Sequence, residues 1–494
     1  MKLHSRLLHL SLLTAIGWAA ASCTSATATR NDLAKSRRDA TGRDAGAATQ
    51  SPASASSIAS TSSRKSQGES LPLVEGPVSL LDAVNIALAQ NLTLRVAYFR
   101  HEEAAGVYEE ARGAILPQAA LTASATDNLN HRDVDKDVYT YQFRITQPLW
   151  RGGALLAGLR YAELYKASAD IAIQKQVQDT IATTTRLYLS VLLEEQMTKV
   201  YEESLATAER LLKTAKSKLD AGVVSAYEVL RAEVEVSTAQ ADLLRAQNNK
   251  RTALVTLLRA LGVSQDSAIK LSGTLQYRPE VADEQTLIRT ALEKRPDLLL
   301  AEAEVRMARE NVGITRAQFG PSVDAFLNDA GRRPESYAND RRGWYHTWTA
   351  GVSLSYVLTD SVFRRGRLWQ ATSRLDQTEA ALRNAEEEAR VDVLKALLDL
   401  RYAEELYQSQ KKNIDVATEA LRMIEVGAHT GKNTQLEVLD AQSALTSAVG
   451  RYYNAVHGHC VARINLQYTT GSLGPDALDA INVNIQLPTD PLFP

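Results

Sequence analysis

A stripe of small and aliphatic residues occurs twice in this chain, at a shift of 209 residues. Val229, Ala232, Val236, Ala239, Leu243, Ala246, Ala253 and Leu257 step along by threes and fours. Val438, Ala441, Leu445, Ala448, Tyr452, Ala455, Ala462 and Leu466 repeat that stripe. Even its break is shared, because Lys250 falls where His459 falls. Alternating steps of three and four average about 3.5 residues, the seam of a coiled coil. Alanine at every second seam position lets helix backbones approach closely. A chain patterned this way folds as two copies of one tightly packed helical unit, whatever else it contains.

Composition narrows the class. The 494 residues carry 56 basic and 58 acidic side chains, so no basic surplus points to nucleic acid. Two cysteines leave no disulfide framework. Beyond the N-terminus no apolar run reaches the roughly 18 residues of a spanning helix, so a membrane crossing would have to use β-strands. Lys2 and Arg6 followed by the apolar stretch Leu7 to Ala21 predict an export signal over residues 1–22. It ends Ala20-Ala21-Ser22-Cys23, which resembles a bacterial lipoprotein box with Ala20 in place of the usual leucine. Cys23 is the expected lipidation site, and an ordinary signal-peptidase site nearby is the alternative. Residues 23–74 are Ser/Ala/Thr-rich and hold too few large apolar groups to order themselves, which predicts a flexible tether. An extended tail is expected over 472–494.

Each repeat shows the same succession. The first, 75–280, opens with a helix from Ser79, a capping residue, and the second, 281–471, opens at Asp283. Each opening helix is expected to run to a proline, Pro117 or Pro321, where helix must stop. The period then changes to two. Thr140, Gln142, Arg144 and Thr146 alternate with Tyr139, Tyr141, Phe143 and Ile145, and Thr347, Thr349, Gly351 and Ser353 alternate with Trp348, Ala350, Val352 and Leu354. These patterns predict β-hairpins over 118–149 and 322–358, each with one apolar face, aromatic near its ends, and one small polar face. Such faces suit either a half-buried sheet on a soluble core or a lipid-facing wall around a wet lumen. Long helical hairpins follow over 154–262 and 362–468, turning at Ala221-Gly222-Val223-Val224-Ser225 and Thr430-Gly431-Lys432-Asn433-Thr434. Four strands cannot close a barrel, and lipid does not tolerate an open sheet edge. Known barrels begin at about eight strands, so hairpins that cross a membrane must be shared among several chains.

The duplication, the Gln147-Pro148-Leu149-Trp150-Arg151-Gly152-Gly153 segment and the two turns, Gly222…Ser225…Val229-Leu230 and Gly431…Thr434…Val438-Leu439-Asp440-Ala441, resemble TolC-type outer-membrane factors over roughly 75–470. The resemblance implies a mainly α fold with a β portion. Duplicated helical hairpins would form a trimeric α-barrel, and four strands per chain would enter a shared twelve-stranded transmembrane β-barrel. It implies a homotrimer in the outer membrane of a Gram-negative bacterium. The trimer would act as a passive duct for an efflux pump, opened at its periplasmic tip by an adaptor (membrane fusion) protein and an inner-membrane pump. The lipoprotein-like start resembles the branch paired with resistance-nodulation-division pumps. Val357-Leu358-Thr359-Asp360-Ser361 departs from the family by lacking a Gly-Gly pair. A protein-secretion duct of the same family is the alternative, and a periplasmic coiled-coil scaffold is the alternative from another class.

By motif match the family's acidic gate falls on Glu437 and Asp440, where the first repeat has Glu228 and Arg231. Six crowded carboxylates in a trimer would favour cations. The alternative reading is two solvated carboxylates at a helix start, favoured there by the dipole. Gly222, Val224, Ser225, Gly431 and Thr434 are the expected adaptor-docking turns, with the glycines at positive φ and Ser225 and Thr434 as caps. His457-Gly458-His459-Cys460 looks like a soft-metal cluster, but its histidines are two apart and face different ways, so no metal and no cofactor is expected. No catalytic arrangement is recognisable, and an enzyme is not expected. Arg341, Arg342, Arg364, Arg365 and Arg367 are either solvated or contacts for lipopolysaccharide phosphates.

Overall fold

In a computed structural model, residues 72–74, 76–127, 137–280, 283–333, 343–430 and 432–473 are described. The expected signal, Cys23, the tether up to residue 71, Arg341, Arg342, Gly431 and most of the expected tail lie outside them. The elements run β1 (Gly76–Val78), α1 (Leu80–Gln90), α2 (Leu92–Gly113), β2 (Gln118–Asp127), β3 (Asp137–Arg151), α3 (Ala154–Asp220), α4 (Ala226–Leu261) and β4 (Ile269–Leu271). The second repeat follows as α5 (Glu284–Lys294), α6 (Pro296–Ala317), β5 (Ser322–Arg333), β6 (Tyr345–Ser355), α7 (Ser361–His429) and α8 (Gln435–Thr469).

The long helices dominate. α3 has 67 residues and α7 has 69, each about 100 Å at the standard rise. A helix this long cannot rely on propensity, so its stability comes from the partner along its seam. Ala208 and Ala215 of α3 bury against Val229, Ala232, Ala239 and Ala246 of α4, and α7 pairs with α8 in the same way. α3 also packs along α8, so the four helices lie side by side as α4, α3, α8, α7. Nearer the sheet, α2 and α6 replace α4 and α8 beside the two long helices.

The opening helices differ from expectation. Each is broken in two, at Asn91 and at Arg295, where ψ is 122° and 121°. Asn91 accepts the Thr93 and Leu94 N–H groups, which starts α2 afresh. Pro296 does so for α6, because proline at the first helical position has no N–H to lose. The corners are then locked by tight packing. Gly262, which ends α4 at φ +73°, lies so close to Gln90 O that a Cβ would overlap it. Gly471, which ends α8 at φ +66°, meets the Arg295 backbone, where a Cβ would stand 2.9 Å from the Arg295 Cα.

Around this level lies the main core. Tyr188, Val191 and Leu192 of α3 pack with Ala83 and Ala87 of α1 and with Leu257, Leu258 and Leu261 of α4. β1 and β4, which are too short to show a period, form a parallel pair over it. The Tyr188 hydroxyl reaches both the Val78 and Ser272 carbonyls at 3.1 Å and ties the pair to α3.

The remaining strands form one antiparallel sheet in the order β2-β3-β5-β6. The two hairpins therefore join through β3 and β5, which pair from Tyr139↔Arg333 to Arg151↔Ser322 across a bulge at Pro148/Trp150. Among the described residues β2 and β6 have one strand partner each.

Candidate functional site

Two regions carry the arrangement, the sheet and the far tips of the helical hairpins. In the sheet, register places Thr122, Ser124, Thr140, Gln142, Arg144, Asn328 and Thr349 on one face. They bond to one another: Ser124 and Thr140 hydroxyls lie 2.7 Å apart, and Gln142 Nε2 donates to Asn328 Oδ1 at 2.6 Å. The opposite face presents Leu121, Phe143, Ile145, Leu327, Trp348 and Val352. Leu121, Trp348 and Val352 are between 65% and 70% exposed. That face also carries polar groups, among them Asp329, which accepts from the Tyr141 hydroxyl at 3.3 Å, and His346, whose Nδ1 contacts the same hydroxyl. Among the described residues no helix is long and apolar enough to cross a membrane. An exposed apolar sheet face over a hydrogen-bonded polar one is what a barrel wall in lipid needs.

At the tips, α3 ends at Asp220, is capped by Ala221 and turns through Gly222 at φ +75°. The Gly222 N–H donates to Leu219 O and the Val223 N–H to Lys218 O, both at 2.8 Å, closing the helix end. No atom lies within 4 Å of where a Gly222 Cβ would stand, so the glycine is needed for its φ rather than for space. Val224 is half-buried, and Val223, Tyr227 and Leu230 point outward at 71%, 68% and 61% exposure. Ser225 holds the first position of α4 in extended backbone, but its side chain makes no capping bond. The expected cap at Ser225 is therefore absent, and the turn is tied instead by the Glu228 N–H on the Ser225 carbonyl at 3.1 Å.

The second tip differs. Thr434 Oγ1 accepts the Glu437 N–H at 3.3 Å, and Glu437 Oε2 accepts the Thr434 N–H at 2.9 Å, a complete capping box. Glu437 is thus held to its own helix start. Asp440, one turn on, faces Arg231 of α4, with Oδ1 3.5 Å from the guanidinium. Arg231 and Asp440 occupy equivalent positions of the two repeats, so the duplicated hairpins are bridged by their own counterpart residues. Lys218 Nζ also reaches Gln435 Oε1 at 3.5 Å. The side chains of Arg231 and Asp440 are 42% and 68% exposed, which limits such a pair to about 0.2–1 kcal/mol. Arg231 was visible in the sequence as the odd member of the repeated acidic pattern, but its role as the partner of Asp440 was not.

The His457-Cys460 segment lies on α8, where His459 is 1% exposed. Among the described residues no three metal-ligating side chains converge.

Comparison with known proteins agrees with the geometry. Residues 83–263 and 287–472 match the sequence profile of a family described as outer membrane efflux protein. Protein CyaE of Bordetella pertussis is 25% identical over 428 residues, covering 84% of this chain and 90% of that one. The alkaline protease secretion protein AprF of Pseudomonas aeruginosa is 22% identical over 421 residues, covering 82% and 87%. Among solved structures, CusC, whose report concerns folding and transmembrane channel formation, superposes with a TM-score of 0.69 at 18% identity, over 79% of this chain and 92% of that one.

Proposed function

The chain belongs to the outer membrane efflux protein family, and on that premise we propose that three copies form a passive outer-membrane duct serving an efflux pump. One observation carries the reading: each protomer is a panel four elements wide, open at both sides, from the sheet to the tips. β2 and β6 are its outer strands, and α4 and α7 are its outer helices. Both outer helices carry apolar stripes at seam spacing that are exposed among the described residues. On α4 these are Tyr227, Leu230, Val234 and Leu244, continued into the tip turn by Val223, and on α7 they are Val391, Leu394, Leu398 and Tyr402. A head-to-tail ring sets the α7 side of one protomer against the α4 side of the next. It pairs every strand edge and covers both stripes. Three such panels make twelve strands and a wall twelve helices around, with the polar sheet face inward.

In this reading the tips meet a periplasmic adaptor, itself bound to an inner-membrane pump of the resistance-nodulation-division type. Gly222, Val224, Ser225, Gly431 and Thr434 present the docking turns, and a lipid on Cys23 adds a second anchor. Glu437 and Asp440 form the acidic constriction, with Asp440 restrained by Arg231 of the same chain. In planar bilayers the protein should give small, cation-blocked conductances. Replacing both Glu437 and Asp440 by alanine should enlarge the conductance and weaken block by trivalent cations. Unchanged conductance and block would remove both residues from the gate. A second reading, export of a polypeptide, is favoured by the match to a protease secretion protein. It predicts that deleting the chain's gene retains a protein in the cell without sensitising it to small toxic solutes.

A further inference from the structure

We propose that Tyr277, Glu404 and His459 form a proton-operated clasp between the linker that joins the repeats and the α7–α8 hairpin. The linker, residues 272–280, leaves β4 and crosses α7 and α8 before the second repeat begins. Tyr277 is its anchor. Its ring stacks on Tyr407 at 4.1 Å and 9°, and tilts against His459 at 4.7 Å. Its hydroxyl donates to Glu404 Oε1 at 2.6 Å. His459 is buried, and among the described residues neither of its ring nitrogens has a hydrogen-bond partner. A neutral imidazole is tolerated in that position, but it is unsatisfied.

The first repeat shows the same position in its charged form. Lys250 and Glu195 stand 209 residues before His459 and Glu404, and they form an ion pair at 3.2 Å. A protonated His459 is the second-repeat counterpart of the Lys250 ammonium, and Glu404 is the carboxylate it would claim. Tyr277 now holds that carboxylate. Protonation therefore sets imidazolium and phenol in competition for one acceptor, and the linker loses its anchor when the imidazolium wins.

The surroundings fix the direction. Glu404 faces His459 from α7, and Tyr407 lies behind Tyr277 and against Tyr452. Tyr277 and Glu280 face it from the linker and Arg463 from α8, while Arg278, Cys460 and Tyr188 line the same cavity. Arg463 is itself paired with Glu280 at 2.6 Å. Burial, with help from Arg463, holds the His459 pKa below the ordinary value, while Glu404 and Glu280 pull it up. A cavity of about 370 Å³ lined by His459, Cys460, Arg463 and Arg278 gives water a way in. Because the clasped imidazole binds its proton less readily than a released one, the clasp is favoured above about pH 6.5 and weakens as the pH falls through that value. Its release would free the sheet-proximal part of the hairpin whose tip carries Glu437 and Asp440.

Alkylation of the Cys460 thiol in the full-length protein in detergent, resolved by mass spectrometry, tests this locally and independently of whether the protein conducts, because that thiol donates to the Gln276 carbonyl of the linker at 3.5 Å. Protection of that thiol, corrected for the intrinsic effect of pH on alkylation, should fall about tenfold between pH 7.5 and 5.5. His459→Leu should abolish the fall and remain protected. His459→Lys should be weakly protected at both pH values. Glu404→Gln leaves Tyr277 an acceptor but gives the imidazolium no charge, so its fall should shrink. Equal wild-type protection at both pH values, or a full fall retained in His459→Leu, overturns the clasp. If His459→Lys does not assemble, the comparison of wild type with His459→Leu still decides.

Discussion

Arg231→Ala removes the guanidinium that faces Asp440, and its effect follows from the exposure of the pair. At 3.5 Å, with side chains 42% and 68% exposed, one contact is worth about 0.5 kcal/mol. In a ring the three contacts act on one closure, so losing all three costs roughly 1.5 kcal/mol, close to tenfold in the ratio of closed to open tips. The three freed aspartates also repel one another, which pushes in the same direction. Arg231→Ala should therefore raise mean single-channel conductance and tighten block by trivalent cations, because the carboxylates remain and lose their counter-charge. Arg231→Lys should keep most of the restraint. The difference between wild type and Arg231→Ala should shrink in about 1 M salt, where charges are screened within about 3 Å. Wild-type conductance and wild-type block in Arg231→Ala at low salt would refute the bridge as a restraint.

Three further outcomes are expected. Gly262→Ala forces a side chain into left-handed backbone against Gln90 O, and should destabilise the fold by on the order of 3 kcal/mol in chemical denaturation, with Gly471→Ala acting similarly at the second corner. Cys23→Ala should abolish incorporation of a labelled fatty acid yet leave partial channel function, since the shared barrel itself holds the protein in the membrane; a wild type that takes up no label rejects the anchor. Although burial opposes it, Arg295 holds the Asp297 carboxyl below its ordinary pKa through hydrogen bonds at 2.8 and 3.1 Å, so this contribution is complete above about pH 4 and is lost as the pH falls below it. Asp297→Asn should lower the melting temperature at neutral pH and flatten its decline in acid, and an unchanged acid limb would dismiss the pair.

The long elements were legible because their signals are long. Residues 154–218 contain a single glycine and no proline, and the helix there runs from Ala154 to Asp220. Alternation from Tyr139 to Thr146 marks a strand that extends from Asp137 to Arg151. What stayed hidden was short or non-local. β1 and β4 have three residues each, too few for a period, and are held by carbonyls that Tyr188 reaches from distant sequence. The corner at Asn91 carries only an asparagine cap, whereas Pro296 marked the equivalent corner, and a proline there is compatible with either continuation or restart. Ser225-x-x-Glu228 and Thr434-x-x-Glu437 are the same capping pattern, yet only the second closes. Nothing in the structure explains that difference. The Arg231–Asp440 bridge needed both repeats superposed in space, since 209 residues separate its partners.

Native mass spectrometry from detergent tests the central claim most directly, because a panel with β2 and β6 unpaired cannot stand alone in lipid. The account predicts a single species at three times the protomer mass, retaining its β-sheet signature. A monomer that keeps that signature intact in detergent would contradict it.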